Sequence, residues 1–351
     1  MNTKRTNNVT LLILFVLVTG LMAAFLPTEF MSLRNLRNMG RQLPEYGLLA
    51  LANMLAMITG GIDLSVVSIT SLSGVVAASI LSQYSTIALP AGVTILLAIV
   101  AALSVAAMCG AFNGILVAYA GIPAIIATLG TNGLFLGIAI IITKGHGIIG
   151  FPPAFEFFGN GRIAGVPTQF VIFIAVALLL GLLLNRTSQG FRMYMYGSNP
   201  LVSRFSGVNN EMVLIKTYII SAILAGIAAI IIISGVNSVR PGYGTDYLLL
   251  SVLIAILGGT DPTGGFGTVL GVSLAIFIVQ ALQSGLNILG FSPFFKKSSW
   301  GLLLLLIMVF HFYRSRYQLK KISRAKVPAG PGESTSAPLP SETPTGDDAG
   351  V

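Results

Sequence analysis

The chain has 351 residues, of which 54% are hydrophobic and only 9% charged, and its mean hydropathy is +0.88. That balance excludes a soluble globular protein, in which about 25% of residues are charged, and makes lipid the solvent for most of the chain. The formal charge of +9 reads as topology rather than nucleic-acid binding, because the basic residues fall between apolar runs and at the ends, where they fix orientation against anionic lipid.

In chain order, the first apolar run covers 9–26 and follows Lys4 and Arg5, with Met22-Ala23-Ala24 resembling a signal-peptide cleavage site. A retained first helix is preferred, since many further spans follow and no separate export signal is needed. Those spans are expected at 45–60, 65–81, 88–108, 111–142 (broken at Pro123), 168–184, 213–235, 246–258, 268–289 and 298–313. The expectation is an all-α polytopic membrane protein of about ten transmembrane helices. Residues 64–143 contain no Asp, Glu, Lys, Arg or His and must hold several crossings, each needing about 20 apolar residues. Within it the apolar field 87–143 has potential interruptions at Gly92, Gly110, Gly114 and Pro123, so that field divides into two long helices or three shorter segments.

Two basic segments set the orientation. Arg186, Arg192, Arg204 and Lys216 face a single Glu211, and Arg314, Arg316, Lys320, Lys321, Arg324 and Lys326 have no nearby acid. Both are expected on the cytoplasmic side, and an even count of spans then puts both termini there. Arg34, Arg37 and Arg41 would fall outside, which an amphipathic surface helix between the first two spans resolves. The domain division is a cytoplasmic N-terminus (1–8), a membrane domain (9–313) with a cytoplasmic loop (185–212), and a basic then disordered tail (314–351) too rich in Pro, Gly, Ser and Thr to build a core.

The candidate site begins at Gly60-Gly61-Ile62-Asp63-Leu64-Ser65. A carboxylate between two apolar runs is costly at membrane depth unless paired, hydrated or capping. Adjacent glycines followed by Asp and Ser read as a helix stop and a new start, with Asp63 or Ser65 accepting from backbone N–H groups; an ordinary interfacial loop is the alternative. The pattern returns at Gly258-Gly259-Thr260-Asp261, where a second apolar span closes. Paired broken helices mark internally duplicated transporters, although Gly-Gly-X-Asp can recur by chance among 40 glycines. Asn53, Asn132, Gln280, Gln283 and Asn287 are intramembrane amides that either line a polar path or join helices. Lys144, His146, Glu156 and Arg162 fall in an outer loop, and His311 at a membrane boundary. Cys109 is the sole cysteine, so no metal or redox motif is present and no cofactor is expected.

These residues also carry a family resemblance. Gly60 to Val66 with Ser68 resembles the signature of permease subunits of bacterial sugar ABC importers, the ribose, xylose and arabinose transporter group. It continues through Phe112-Asn113-Gly114, Ile122 to Thr131, Gly197-Ser198-Asn199, Ser206-Gly207-Val208, Leu257 to Thr260, Gly264-Gly265, Gly267, Ser284 to Asn287 and Ser292-Pro293. The match is collinear over 40–313. It implies a translocation path involving Gly60, Gly61, Asp63, Ser65, Asn113, Gly258, Gly259, Asp261 and Asn287. It also implies a coupling helix around Gly197, Asn199, Arg204, Ser206 and Gly207, with Pro200 helping to start a short helix. Two departures stand out: Leu201-Val202 where relatives often have Ala-Ala, and Val67 where Gly is usual.

The implied partners are a separate ABC ATPase, a periplasmic sugar-binding protein and a second permease subunit, identical or related, in the bacterial inner membrane. The absence of a Walker loop agrees with a separate ATPase. The rival function is a stand-alone secondary transporter or channel, which would ordinarily keep ionisable relays within its spans. A membrane enzyme would need a nucleophile, metal or acid–base set, and two scattered histidines do not form one.

Overall fold

The computed structural model describes residues 2–84, 89–306 and 308–309, with side chains described from Asn8 onward. The chain divides into one unit from Met1 to Ile307 and another from Met308 to Val351. The expected basic segment from Arg314, His311 and the tail 314–351 lie outside the described residues.

The first unit is a helical bundle. Its helices are α1 (Asn2–Phe25), α2 (Pro27–Phe30), α3 (Leu33–Ile58), α4 (Val66–Leu81), α5 (Ala91–Ala118), α6 (Ala124–Thr143), α7 (Phe157–Asn160), α8 (Thr168–Arg186), α9 (Ser188–Ser198), α10 (Pro200–Phe205), α11 (Asn210–Val236), α12 (Tyr247–Leu257) and α13 (Val269–Ile288), followed by helical residues 293–306. Two-residue strands trim the connections: β1 (Ile148–Ile149) pairs antiparallel with β4 (Ser238–Val239), and β2 (Arg162–Ile163) with β3 (Val166–Pro167).

The core is built around α3. Every residue from Tyr46 to Ile58 is buried, as expected of a helix that is apolar on all sides, and α8, α11, α12 and α13 pack around it. Side-chain hydrogen bonds join these helices where water cannot. Asn53 Nδ2 donates to Ser251 Oγ at 2.9 Å, Ser221 Oγ to the Ala52 carbonyl at 3.0 Å and Tyr247 to Glu45 at 2.6 Å, while Tyr46 donates to Gln280. Asn53 and Gln280 therefore join α3 to α12 and α13; Asn132 is half-buried on α6 and Gln283 half-buried on α13.

The apolar field 87–143 resolves into two long helices, α5 and α6, separated at 119–123 with Pro123 as the residue before α6. Gly110 and Gly114 do not interrupt α5. They let it cross α11 at backbone distance: a Cβ at Gly110 would lie 2.4 Å from the Tyr218 carbonyl oxygen, and one at Gly114 would lie 2.6 Å from Ile215 Cα. Small residues four apart form the close-approach face through which membrane helices associate without a hydrophobic driving force.

Two expectations change. Arg34, Arg37 and Arg41 do not form a separate surface helix; they occupy the first turns of α3, whose start is capped by the Ser32 side chain accepting from Asn35 N. The helix then runs through Pro44 without stopping, since tertiary packing tolerates one missing N–H donor inside a membrane bundle. Nor does the count of about ten follow from length and apolarity. Among the described residues, six helical segments meet that standard: Asn8–Phe25, α5, α6, α8, α11 and α13. By contrast, α4 and α12 are apolar but only 16 and 11 residues long, and α3 carries charge along its first half.

Adding a methyl group at the α5–α11 crossing is expected to cost about 1–3 kcal/mol by overpacking. Gly110→Ala should lower the thermal unfolding midpoint of the purified protein in detergent. Gly133→Ala, where nothing lies within 4 Å, should leave it unchanged; equal midpoints for the two variants would refute the close crossing.

Candidate functional site

The end of α3 builds the first half of the site. Gly60 adopts φ +80°, a conformation open to glycine at little steric cost, and closes the helix with Gly60 N donating to the Met57 carbonyl (2.8 Å) and Gly61 N to the Ala56 carbonyl (3.1 Å). This is the paired C-terminal cap that satisfies otherwise orphaned carbonyls. Asp63 follows, fully buried. Its Oδ1 accepts from Ser65 N at 2.9 Å and from Ser65 Oγ at 2.6 Å, and Ser65 Oγ in turn accepts from Asn113 Nδ2 at 2.7 Å. Asp63 thus takes the backbone N–H, whereas the Ser65 side chain makes no helix cap. Thr128 Oγ1 accepts from Leu64 N at 3.1 Å and lies 3.1 Å from the Ile62 carbonyl, tying α6 to the break.

The second break repeats the construction with a slip of one residue. Here the second glycine, Gly259, is left-handed at φ +83°, with Gly259 N donating to the Ile256 carbonyl (2.9 Å) and Thr260 N to the Ala255 carbonyl (3.1 Å). Asp261 Oδ1 then accepts from Thr263 N at 2.9 Å and Thr263 Oγ1 at 2.6 Å, matching the distances of the Asp63–Ser65 turn. Cap and turn are therefore both reproduced, but the first break has one more residue between them. Gly258 has a different task. A Cβ there would lie 2.5 Å from Val272 Cα, so it permits α12 and α13 to meet.

The two breaks touch, and the end of α9 sits on both. Gly265 N donates to the Ile58 carbonyl at 2.9 Å. A Cβ at Gly197 would fall 1.8 Å from that same carbonyl oxygen and 2.6 Å from Gly265 N, and one at Gly264 would fall 2.5 Å from the Gly197 oxygen. Tyr194, one turn earlier, donates to the Gly267 carbonyl at 2.8 Å, and burial pushes its phenol up to about 12. Immediately after this junction Asn199 starts α10, its Oδ1 accepting from Leu201 N at 3.0 Å and Val202 N at 3.1 Å. Asn210 holds the short helix from behind through Ser203 Oγ and the Pro200 carbonyl, and Gly207 at φ +78° ends it. Arg204 and Ser206 are exposed, as are Leu201 (69%), Val202 (54%) and Phe205 (92%).

Residues 35–312 match the family described as branched-chain amino acid transport system / permease component. The chain belongs to this family. The permease is 34% identical over 269 residues to the autoinducer 2 import system permease protein LsrD of Yersinia enterocolitica, covering 75% of this chain and 79% of that one. It is also 34% identical over 305 residues to the ribose import permease protein RbsC of Escherichia coli K12, covering 86% and 91%. No solved structure matches. With its long apolar helices and this family membership, the chain is a multi-pass membrane protein of the permease type.

Of the residues singled out from sequence, the permease brings together Gly60, Gly61, Asp63, Ser65 and Asn113 in one place, and Gly197 beside the second break. Asn287 is elsewhere. It lies exposed near the far end of α13, accepting from Lys296, about 27 Å along the helix from Val269 at 1.5 Å per residue. The sequence reading passed over Tyr194 and Tyr218, whose only signal was a phenol within or beside an apolar run, and the Ile58 carbonyl, which no side chain announces. Thr128 stood inside the quoted motif without a role.

The junction gives a direct test. Gly197→Ala places a methyl inside the Ile58 carbonyl, so α9 must lift from the breaks. The variant should insert normally but lose thermal stability, and protease accessibility of the 197–208 segment should rise; unchanged accessibility would contradict the packed junction.

Proposed function

We propose that this permease is the membrane subunit of an ATP-binding cassette importer that moves a sugar or sugar-like solute across the bacterial inner membrane, with energy from a separate ATPase. The observation that carries the reading is the junction itself: a short, capped, exposed helix follows directly from a backbone contact with both helix breaks. Movement imposed on α10 is thereby transmitted to α3 and α12 without a flexible link. The apolar side chains of Leu201, Val202 and Phe205 on α10 support a docking role, because an exposed aromatic flanked by aliphatic residues is the kind of anchor that partner pockets bury.

In this reading 185–212 is a cytoplasmic coupling loop, both termini are cytoplasmic, and α3, α4, α12 and the 293–306 helix complete about ten crossings of the 9–313 domain. The relatives named for import of ribose and of autoinducer 2 support a polyhydroxylated solute. A periplasmic binding protein delivers it and a second permease subunit, identical or related, completes the path. ATP binding draws the two ATPases together, the coupling helices follow, and the breaks around Asp63 and Asp261 open or close the path. The permease binds no ATP and makes no covalent bond.

The test is uptake of radiolabelled D-ribose into proteoliposomes containing the permease, the ATPase and the binding protein. ATP-dependent uptake is expected. Asp63→Ala should insert and assemble normally yet reduce uptake at least tenfold, since without Oδ1 the Ser65 N–H and hydroxyl lose their acceptor and the break is misplaced. Phe205→Asp and Gly207→Val should instead lose co-purification of the ATPase. Uptake that persists without any ATPase would overturn the proposal in favour of a stand-alone transporter.

A further inference from the structure

Beside the first break lies a cavity of about 330 Å³ walled by Thr59, Gly60, Gly121, Ala124, Tyr196 and Tyr218. That volume sits at the lower end of the range of about 300–1,000 Å³ for small-molecule sites. No Asp, Glu, Lys, Arg or His lines it, so it suits a neutral ligand. Its polar groups are hydroxyls and backbone.

One of those hydroxyls is unusual. Tyr218 is 1% exposed, faces the Gly60–Gly61 turn closely enough that a Cβ on Gly61 would lie 3.1 Å from its oxygen, and has no hydrogen-bond partner among the described residues. A phenol in a protein interior ordinarily finds one, and this hydroxyl opens onto the cavity instead. Tyr196 contributes a second phenol from α9, one residue before Gly197, which rests on the Ile58 carbonyl. The cavity is therefore bounded on one side by the segment that carries α10 and on the other by the break and α11.

We propose that this cavity is a binding site for a neutral polyhydroxylated molecule of the transported class, entered from the cytoplasmic side. A sugar held between Tyr196 and Tyr218 bridges α9 to α11 and pins the coupling segment on the break. Accumulating solute would then slow its own import. The match of ligand to transported class and the regulation rest on the import reading above; an uncharged cavity suited to a neutral hydroxylated ligand does not.

The experiment uses the permease with its ATPase in nanodiscs, without the binding protein and without nucleotide, and measures equilibrium binding of radiolabelled D-ribose, D-xylose and D-glucose. Saturable binding of at least one is expected, weakened about tenfold by Tyr218→Phe, the loss of one hydrogen bond of about 1.4 kcal/mol. Tyr196→Phe should weaken it likewise. Both variants keep the ring and so the shape of the wall. In proteoliposomes with the α10 side facing the lumen, sugar preloaded in the lumen should slow ATP-driven uptake, and Tyr196→Phe should relieve that inhibition. Absence of saturable binding of all three sugars to the unsubstituted protein, or an affinity in both Phe variants equal to that of the unsubstituted protein, would overturn the site. Tyrosine-dependent binding without ATP-driven uptake would uphold the site and sink the importer reading.

Discussion

The close approach of three backbone segments, through the Ile58 carbonyl, Gly197 and Gly264-Gly265, is the constraint on which the arrangement of this permease turns. The Ile58 carbonyl at the end of α3 accepts from an amide N–H of the second break and lies where a side chain of residue 197 would be. Only glycine satisfies these separations, because any Cβ would occupy another residue's backbone. The consequence is mechanical. A contact between main chains has no rotamers to absorb displacement, so the segment before α10 and the two broken helices move together or separate outright. Packed elements with discrete arrangements of this kind transmit small shifts between sites.

Asp63 is the electrostatic counterpart of that junction. Its carboxylate is enclosed by protein, with one oxygen engaged by Ser65 and, through Ser65, by Asn113 of α5. Burying such a group is tolerable only when hydrogen bonds replace water, and the chain Asp63–Ser65–Asn113 connects the break to α5 while Thr128 connects it to α6. A change at the junction is thus felt by both α5 and α6. Asp261 makes the same local turn with Thr263 in a less enclosed setting, so the two breaks share construction but not environment. The one-residue slip between cap and turn explains why aligning Gly-Gly-X-Asp with Gly-Gly-X-Asp by eye matches the acids and mismatches the left-handed glycines.

Glycine served two purposes that a sequence does not separate. Gly60 and Gly259 supply positive φ at helix ends, a requirement visible in their position before an acid and a new apolar run. Gly110, Gly114 and Gly258 supply empty space inside or beside helices, and nothing local distinguishes them from the first kind; hence the reading of Gly110 and Gly114 as possible interruptions of what proved to be the unbroken α5. The three arginines at the start of α3 misled for a related reason. Charge suggested a surface helix, whereas burial of the second half of the same helix decided its length.

The solvent, the helical class, the position of both breaks and the family resemblance were legible along the chain, since hydropathy, Gly-Gly-X-Asp spacing and collinear motifs are properties of neighbouring residues. The cap at Asn199 and the end at Gly207 were legible for the same reason, being local backbone chemistry. Tertiary structure alone decided that the two breaks meet, that Gly197 seats α9 on them, that Asn113 and Thr128 complete the Asp63 turn, and that Asn287 stands far from it. Those pairings join residues 48 to more than 200 positions apart, and their currency is backbone atoms and excluded volume. No side-chain pattern encodes either.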